Sequence, residues 1–171
     1  RGKKIHVTLN IIPHNHDMEG VEDYIKELYE IGVDALIVAD PGMFMKVKEV
    51  APDFPIHIST QGSVTNVETV KFWQKLGAER VVMARELSLK EVADIIKEVG
   101  DSIEVETFAH GAMCMSYSGR CLLSNYMTGR DANRGDCAHA CRWKYALQEE
   151  KRPGEYYPIG EDENGTFIIR G

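Results

Sequence analysis

The sequence predicts an α/β protein built on a parallel sheet. Apolar, β-branched runs alternate with amphipathic runs whose apolar residues recur at helical spacing. The units follow one another at about 20–30 residues, enough for a crossover between parallel strands. The β-rich runs are apolar at nearly every position, as in strands covered on both faces.

Each element has its own signal. Ile5–Leu9 (IHVTL) reads as a strand. Asp17 reads as the cap of a helix over Val21–Ile31, where Val21, Tyr24, Ile25, Leu28 and Ile31 share one face. Gly32 stops it. Ala35–Ala39 (ALIVA) is a strand and Gly42–Val50 a short helix, with Met43 and Met45 expected to pack. Ile56–Thr60 (IHIST) is a strand; Asn66 caps a helix over Val67–Leu76, and Gly77 ends it. Arg80–Ala84 (RVVMA) is a strand. Ser88 with Glu91 forms a capping box for Leu89–Val99, closed by Gly100. Ile103–Phe108 (IEVETF) is the fifth strand, and Thr166–Arg170 (TFIIR) reads as a sixth after a long polar loop.

The pattern repeats. IGVDALIVAD (Ile31–Asp40) resembles LGAERVVMAR (Leu76–Arg85), and IHVTLN (Ile5–Asn10) resembles IHISTQ (Ile56–Gln61). A two-unit βαβα block occurring twice predicts a (β/α)8 barrel of the TIM type, with a doubly wound open sheet as the alternative. Five or six strands fall short of eight. The expectation is a partial barrel of about six strands, with further units before Arg1 and after Gly171. Its parts are βα repeats over 1–110, a cysteine-rich loop and helix over 111–152, and a loop with the final strand over 153–171. Open edges invite pairing with another copy, so a homo-oligomer is expected.

A hydrophobic content of 43% in 171 residues supports a real core. The net charge of −7 excludes a globally basic binder of nucleic acid or membrane surfaces. Between Cys114 and Arg152, however, five Arg and two Lys stand against two Asp and two Glu. No apolar run approaches a membrane span and no secretory leader is visible, so a cytoplasmic protein without membrane partners is expected.

Parallel barrels place chemistry at the C-terminal ends of their strands. Those ends read Asn10, Asp40, Gln61, Arg85, Glu86, Glu106 and, just beyond, His110. Asn10, Asp40, Gln61 and Glu86 are candidates for binding substrate. Arg85 offers a planar fork to an anion. Strand alternation lets only one of Arg85 and Glu86 face the mouth. Glu106 and His110 share parity and become catalytic candidates, against a structural ion pair as the alternative. His14 and His16 look like a metal pair but read as a solvated loop. His6 and His57 lie within apolar strands and read as core histidines.

All four cysteines fall in one stretch, as C-x6-C, fifteen residues, then C-x3-C. Four thiolates about 6 Å apart would repel by roughly 3 kcal/mol per pair, or on the order of 15–20 kcal/mol together. A metal centre reverses that sign. Zinc fits the x3 arm, while the x6 arm is loose for it, and zinc stays open as the alternative. Iron–sulfur clusters accept irregular spacings. Disulfides stay open as a third reading. Arg120, Arg142 and Lys144 would offset residual negative charge.

ETFAHGAMCMSYSGRCLLS, with ARELSL (Ala84–Leu89) and CRWKY (Cys141–Tyr145), resembles peptidase family U32, the collagenase-like family. The resemblance implies a (β/α)8 barrel. It implies a 4Fe–4S cluster on Cys114, Cys121, Cys137 and Cys141. It also implies oxygen-independent hydroxylation of a tRNA wobble uridine, of rRNA cytidine or of the ubiquinone ring, with prephenate as a co-substrate of the RNA-acting members. The leading expectation is an iron–sulfur tRNA hydroxylase with RNA as its partner. A metal-dependent peptidase with Glu106 as general base is the alternative. A third reading is a non-catalytic module whose metal staples a loop.

Overall fold

In the computed structural model, which describes residues 2–111, 113–162 and 165–168, five strands run parallel in the order of the chain. They are β1 (His6–Leu9), β2 (Ala35–Val38), β3 (Ile56–Ile58), β4 (Arg80–Val82) and β5 (Glu104–Glu106). Helices α1 (Val21–Glu30), α2 (Pro41–Val50), α3 (Val67–Lys75) and α4 (Leu89–Val99) make the crossovers. All belong to a first unit, Arg1–Ala138; a second comprises His139–Gly171.

Register separates the two faces of the sheet. His57 lies beside Arg80, and Arg80 beside Glu104. Alternation then puts His6, Thr8, His57, Arg80, Glu104 and Glu106 on one polar face. The opposite face carries Leu36, Val38, Ile56, Ile58 and Val81, packed with Ile25, Phe44, Val47, Val70, Trp73 and Ile95 of the helices. Burying each large apolar side chain stabilises by about 1.5–3 kcal/mol, so this layer holds the unit together.

The helix ends largely follow the sequence. The Asn66 side chain accepts the Thr69 amide at 2.9 Å. Ser88 and Glu91 form the capping box. Gly32 and Gly77 adopt left-handed φ of 79° and 93° after α1 and α3. Asp17 is different. It sits in a 3-10 turn, Asn15–Met18, and accepts the His14 amide, while Gly20 at φ 75° begins α1. Met43 is buried, but Met45 is exposed.

The sheet corrects the strand count. It has five strands and open edges at β1 and β5, with no closed barrel among the described residues. The expected sixth strand appears as β9 (Gly165–Ile168), which pairs antiparallel with β8 (Ile159–Asp162) in a separate hairpin. Its first residue, Gly165, pairs with Asp162, so the run finds its partner in the segment just before it rather than in the parallel sheet. Arg170, the end of the expected strand, lies outside the described residues. A smaller antiparallel pair joins β6 (Leu147–Gln148) to β7 (Tyr156–Tyr157).

Candidate metal centre

The cysteine stretch of the first unit begins after β5. All four cysteines carry thiols rather than disulfides; Cys121 is half-buried and the others are exposed. Two serines organise the first three. The Ser116 amide donates to Cys114 Sγ at 3.4 Å, and its side chain hydrogen-bonds Cys121. Cys121 also receives the backbone amides of Ser124 and Leu123, at the start of α5 (Leu123–Thr128). The Ser116 hydrogen bond, then these amides, hold the Cys121 thiol below its ordinary range. Ser124 is buried, and its Oγ accepts the Ala138 amide at 2.9 Å while donating to the Arg130 carbonyl at 2.8 Å. That ties the residue after Cys137 to the helix end that faces Cys121.

The stretch is fastened to three strand ends. Beyond β4, Arg85 Nη1 donates to the Cys114 carbonyl at 3.4 Å. The Glu86 carboxylate accepts the Ser118 amide at 2.6 Å and hydroxyl at 2.9 Å. Beyond β3, the Gln61 carbonyl accepts Arg120 Nε at 3.0 Å. Beyond β1, the Ile12 amide donates to the Asn133 carbonyl at 2.8 Å. Gly119, where these meet, is favoured by its backbone: its φ is 81°, while a Cβ there would make only ordinary contact with Gln61 Cγ at 3.5 Å and Arg85 Nη2 at 3.6 Å. A cavity of about 470 Å³ opens beside the stretch, lined by Met83, Arg85, Glu86, Phe108, Cys114 and Tyr117. Arg85 Nε is buried there without a hydrogen-bond partner among the described residues.

The residues singled out in the sequence fare differently. Arg85, Glu86 and Gln61 come together under the cysteine stretch. Both Arg85 and Glu86 engage it, because β4 ends at Val82 and strand alternation no longer applies. Asp40 is an N-cap, accepting the Met43 amide at 2.9 Å. Asn10 Nδ2 donates to Ser59 Oγ at 3.3 Å. Glu106 is held by Arg80 Nη1 at 2.9 Å, while Arg80 also grips Glu104. His110 lies exposed past the end of β5, and among the described residues no hydrogen bond or ion pair joins it to Glu106. His57 is a buried neutral histidine, its pKa lowered to about 4 by burial first and by Arg80 next. His16 Nε2 meets Arg134 Nη2 at 2.5 Å and is taken up in that contact. Cys141 belongs to the second unit, in a 3-10 turn entered by His139 at φ 57°.

The donor set fits a thiolate-bound centre. Cys121 receives N–H and O–H donors, which favour its thiolate, the form that binds a metal. Among the described residues no three His, Cys, Asp or Glu side chains stand as a ready metal cage. The sequence pointed to the sulfurs but missed Ser116, Ser118, Ser124, Asn133 and Arg134. These are common loop residues, and only their partners distinguish them.

The chain is similar to several known proteins. tRNA hydroxylation protein P of Escherichia coli (strain K12) is 42% identical over 98% of this chain and 46% of its own length. tRNA hydroxylation protein P1 of Bacillus subtilis (strain 168) is 47% identical over 95% of this chain and 38% of its own. The chain thus spans less than half the length of these relatives. The solved structure of the U32 peptidase Mk0906 has a TM-score of 0.52 over 62% of this chain and 45% of that one; at 21% identity it is a likeness of fold. The sequence pattern of peptidase family U32 matches residues 1–171, and the chain belongs to that family.

Proposed function

We propose that this chain carries the thiolate site of an iron–sulfur enzyme that hydroxylates RNA, with a tRNA uridine as substrate. The observation that carries the reading is the joining of the Cys114, Cys121 and Cys137 segments by Ser116 and Ser124, above the ends of β1, β3 and β4. The names of the relatives supply the substrate class. Cys114, Cys121 and Cys137 would hold a 4Fe–4S cluster, which supplies one-electron chemistry when bound. Hydrogen bonds from Ser116 and the α5 amides favour the thiolate form of Cys121 that such binding needs. Arg85, whose buried Nε has no hydrogen-bond partner among the described residues, would bind substrate in the adjoining cavity.

We read the sheet as an arc of a (β/α)8 barrel. Strand order runs sequentially without the reversal that marks a doubly wound sheet. The peptidase reading draws no comparable support, since Glu106 is engaged by Arg80 and stands apart from His110. Among the described residues no helix is long and apolar enough to cross a membrane.

The test uses the full-length protein purified without oxygen. It should be brown and contain iron and sulfide, and alanine at Cys114, Cys121 or Cys137 should remove the colour. Cys141, the fourth cysteine of the sequence reading, belongs in the same series. Nucleoside mass spectra of tRNA from cells carrying only the variants should lack the hydroxylated uridine. A colourless protein with stoichiometric zinc, or unchanged tRNA in the Cys121→Ala strain, would overturn the proposal.

A further inference from the structure

Asn133 belongs to no motif of the sequence, yet it is bonded to Cys121 at both polar ends. The Cys121 amide donates to Asn133 Oδ1 at 2.8 Å, and Asn133 Nδ2 donates to the Cys121 carbonyl at 2.9 Å. A side-chain amide here replaces the neighbouring strand that would otherwise satisfy this backbone. The Asn133 backbone is itself fixed. Its amide donates to Asp131 Oδ1 at 2.9 Å, and its carbonyl accepts the Ile12 amide at 2.8 Å. The next residue, Arg134, forks onto Asp17 at 2.9 and 2.5 Å. One dipeptide therefore links Cys121 to the loop between β1 and α1, more than a hundred positions away.

We propose that Asn133 is the positioning residue of Cys121, and that the loop after β1, through Ile12 and Asp17, forms the outer scaffold of the thiolate site. This rests on the iron–sulfur reading for what Cys121 holds, but not for how Cys121 is held. One hydrogen bond on each of the two peptide units that flank the Cys121 Cα fixes both planes and so the direction of its Cβ. Ligand sites need their first layer placed within about 0.5 Å by supporting contacts. Asparagine suits the role better than its relatives. Aspartate would lose the bond to the Cys121 carbonyl and set a negative charge beside a thiolate. Glutamine would carry its amide about 1.5 Å too far. Asn133 and Arg134 act as a pair: the first touches the cysteine, and the second anchors the first.

The experiment uses the full-length protein with Asn133→Ala, Asn133→Asp, Arg134→Asp, and the charge exchange Asp17→Arg with Arg134→Asp. In cluster-free protein, iodoacetamide labelling followed by peptide mass spectrometry gives a rate for each cysteine. Asn133→Ala should speed labelling of Cys121 several-fold and leave Cys114 nearly unchanged. Arg134→Asp should give a smaller rise of the same kind, which the charge exchange reverses. Anaerobic reconstitution should show iron affinity weakened by about tenfold or more in Asn133→Ala and Asn133→Asp, as for loss of other outer partners of metal ligands.

An unchanged Cys121 rate in folded Asn133→Ala would overturn the proposal. So would equal acceleration at Cys114 and Cys121, which marks a general loosening. Should Asn133→Ala fail to fold, Asn133→Ser, shorter but uncharged, gives the same reading. A wild-type protein without iron whose Cys121 still responds selectively to Asn133 would defeat the iron–sulfur reading and leave the positioning role standing.

Discussion

Arg134 lays its guanidinium fork on both carboxylate oxygens of Asp17, at 2.9 and 2.5 Å, although 117 positions separate them in the chain. The contact joins the cysteine stretch to the loop after β1. The Arg134 hydrogen bonds, then the His14 amide, hold the Asp17 carboxyl down at about 2. Its charged form is therefore the form the fold favours. A carboxyl with a depressed folded value stabilises fully above its unfolded value, near 3.8, and loses that contribution as pH falls towards 2. Amide exchange at Ile12 should accelerate across this window in wild-type protein. In Asp17→Asn it should already be fast at neutral pH and show no such step.

His57 predicts a second loss with falling pH, in a higher window. Its ring is 6% exposed and kept neutral, with a pKa near 4 against 6.5 in the unfolded chain. Between those values the unfolded chain binds the extra proton, so stability falls as pH drops from 6.5 to 4. The shift corresponds to a loss on the order of 3 kcal/mol. Urea unfolding measured at intervals across this range should show that slope. His57→Gln should flatten it, whatever its effect on absolute stability.

Glu86 gives a local prediction. Its carboxylate takes both the amide and the hydroxyl of Ser118, a buried residue at φ 47°. These bonds hold that turn against the segment that follows β4. Glu86→Ala should make cleavage by a nonspecific protease near 117–120 faster, while costing only about 1 kcal/mol overall because the carboxylate is partly solvated. Unchanged cleavage would show that Gln61 and Arg120 hold the turn alone.

How much of this was legible follows from the kind of signal involved. Helical periodicity and caps such as Asn66 and Ser88 are local, and the five parallel strands with their four helices follow from them. The strand ends were harder. Residue type cannot separate Asp40, spent on capping α2, from Glu86, spent on Ser118, because both are carboxylates just past a strand. Glu106 was claimed by Arg80 through strand pairing, which only register reveals. The four cysteines were conspicuous as a set, but Asn133 and Arg134 gain meaning only from Cys121 and Asp17. TFIIR carried a true β signal with the wrong partner, because periodicity says nothing of where a strand pairs.

Ser124 offers the sharpest test of the site's construction. Its hydroxyl is buried, accepts the Ala138 amide and donates to the Arg130 carbonyl. Ser124→Ala removes both bonds from the partly exposed Ala138 amide and Arg130 carbonyl, at a cost of about 1 kcal/mol. Ser124→Cys keeps a weak donor of similar size and should recover part of the loss. Because Ala138 follows Cys137, the change should also alter the labelling rate of Cys137 more than that of Cys114. Loss of stability without that selectivity would mean that Ser124 supports α5 alone, and that the Cys137 segment finds its place by another route.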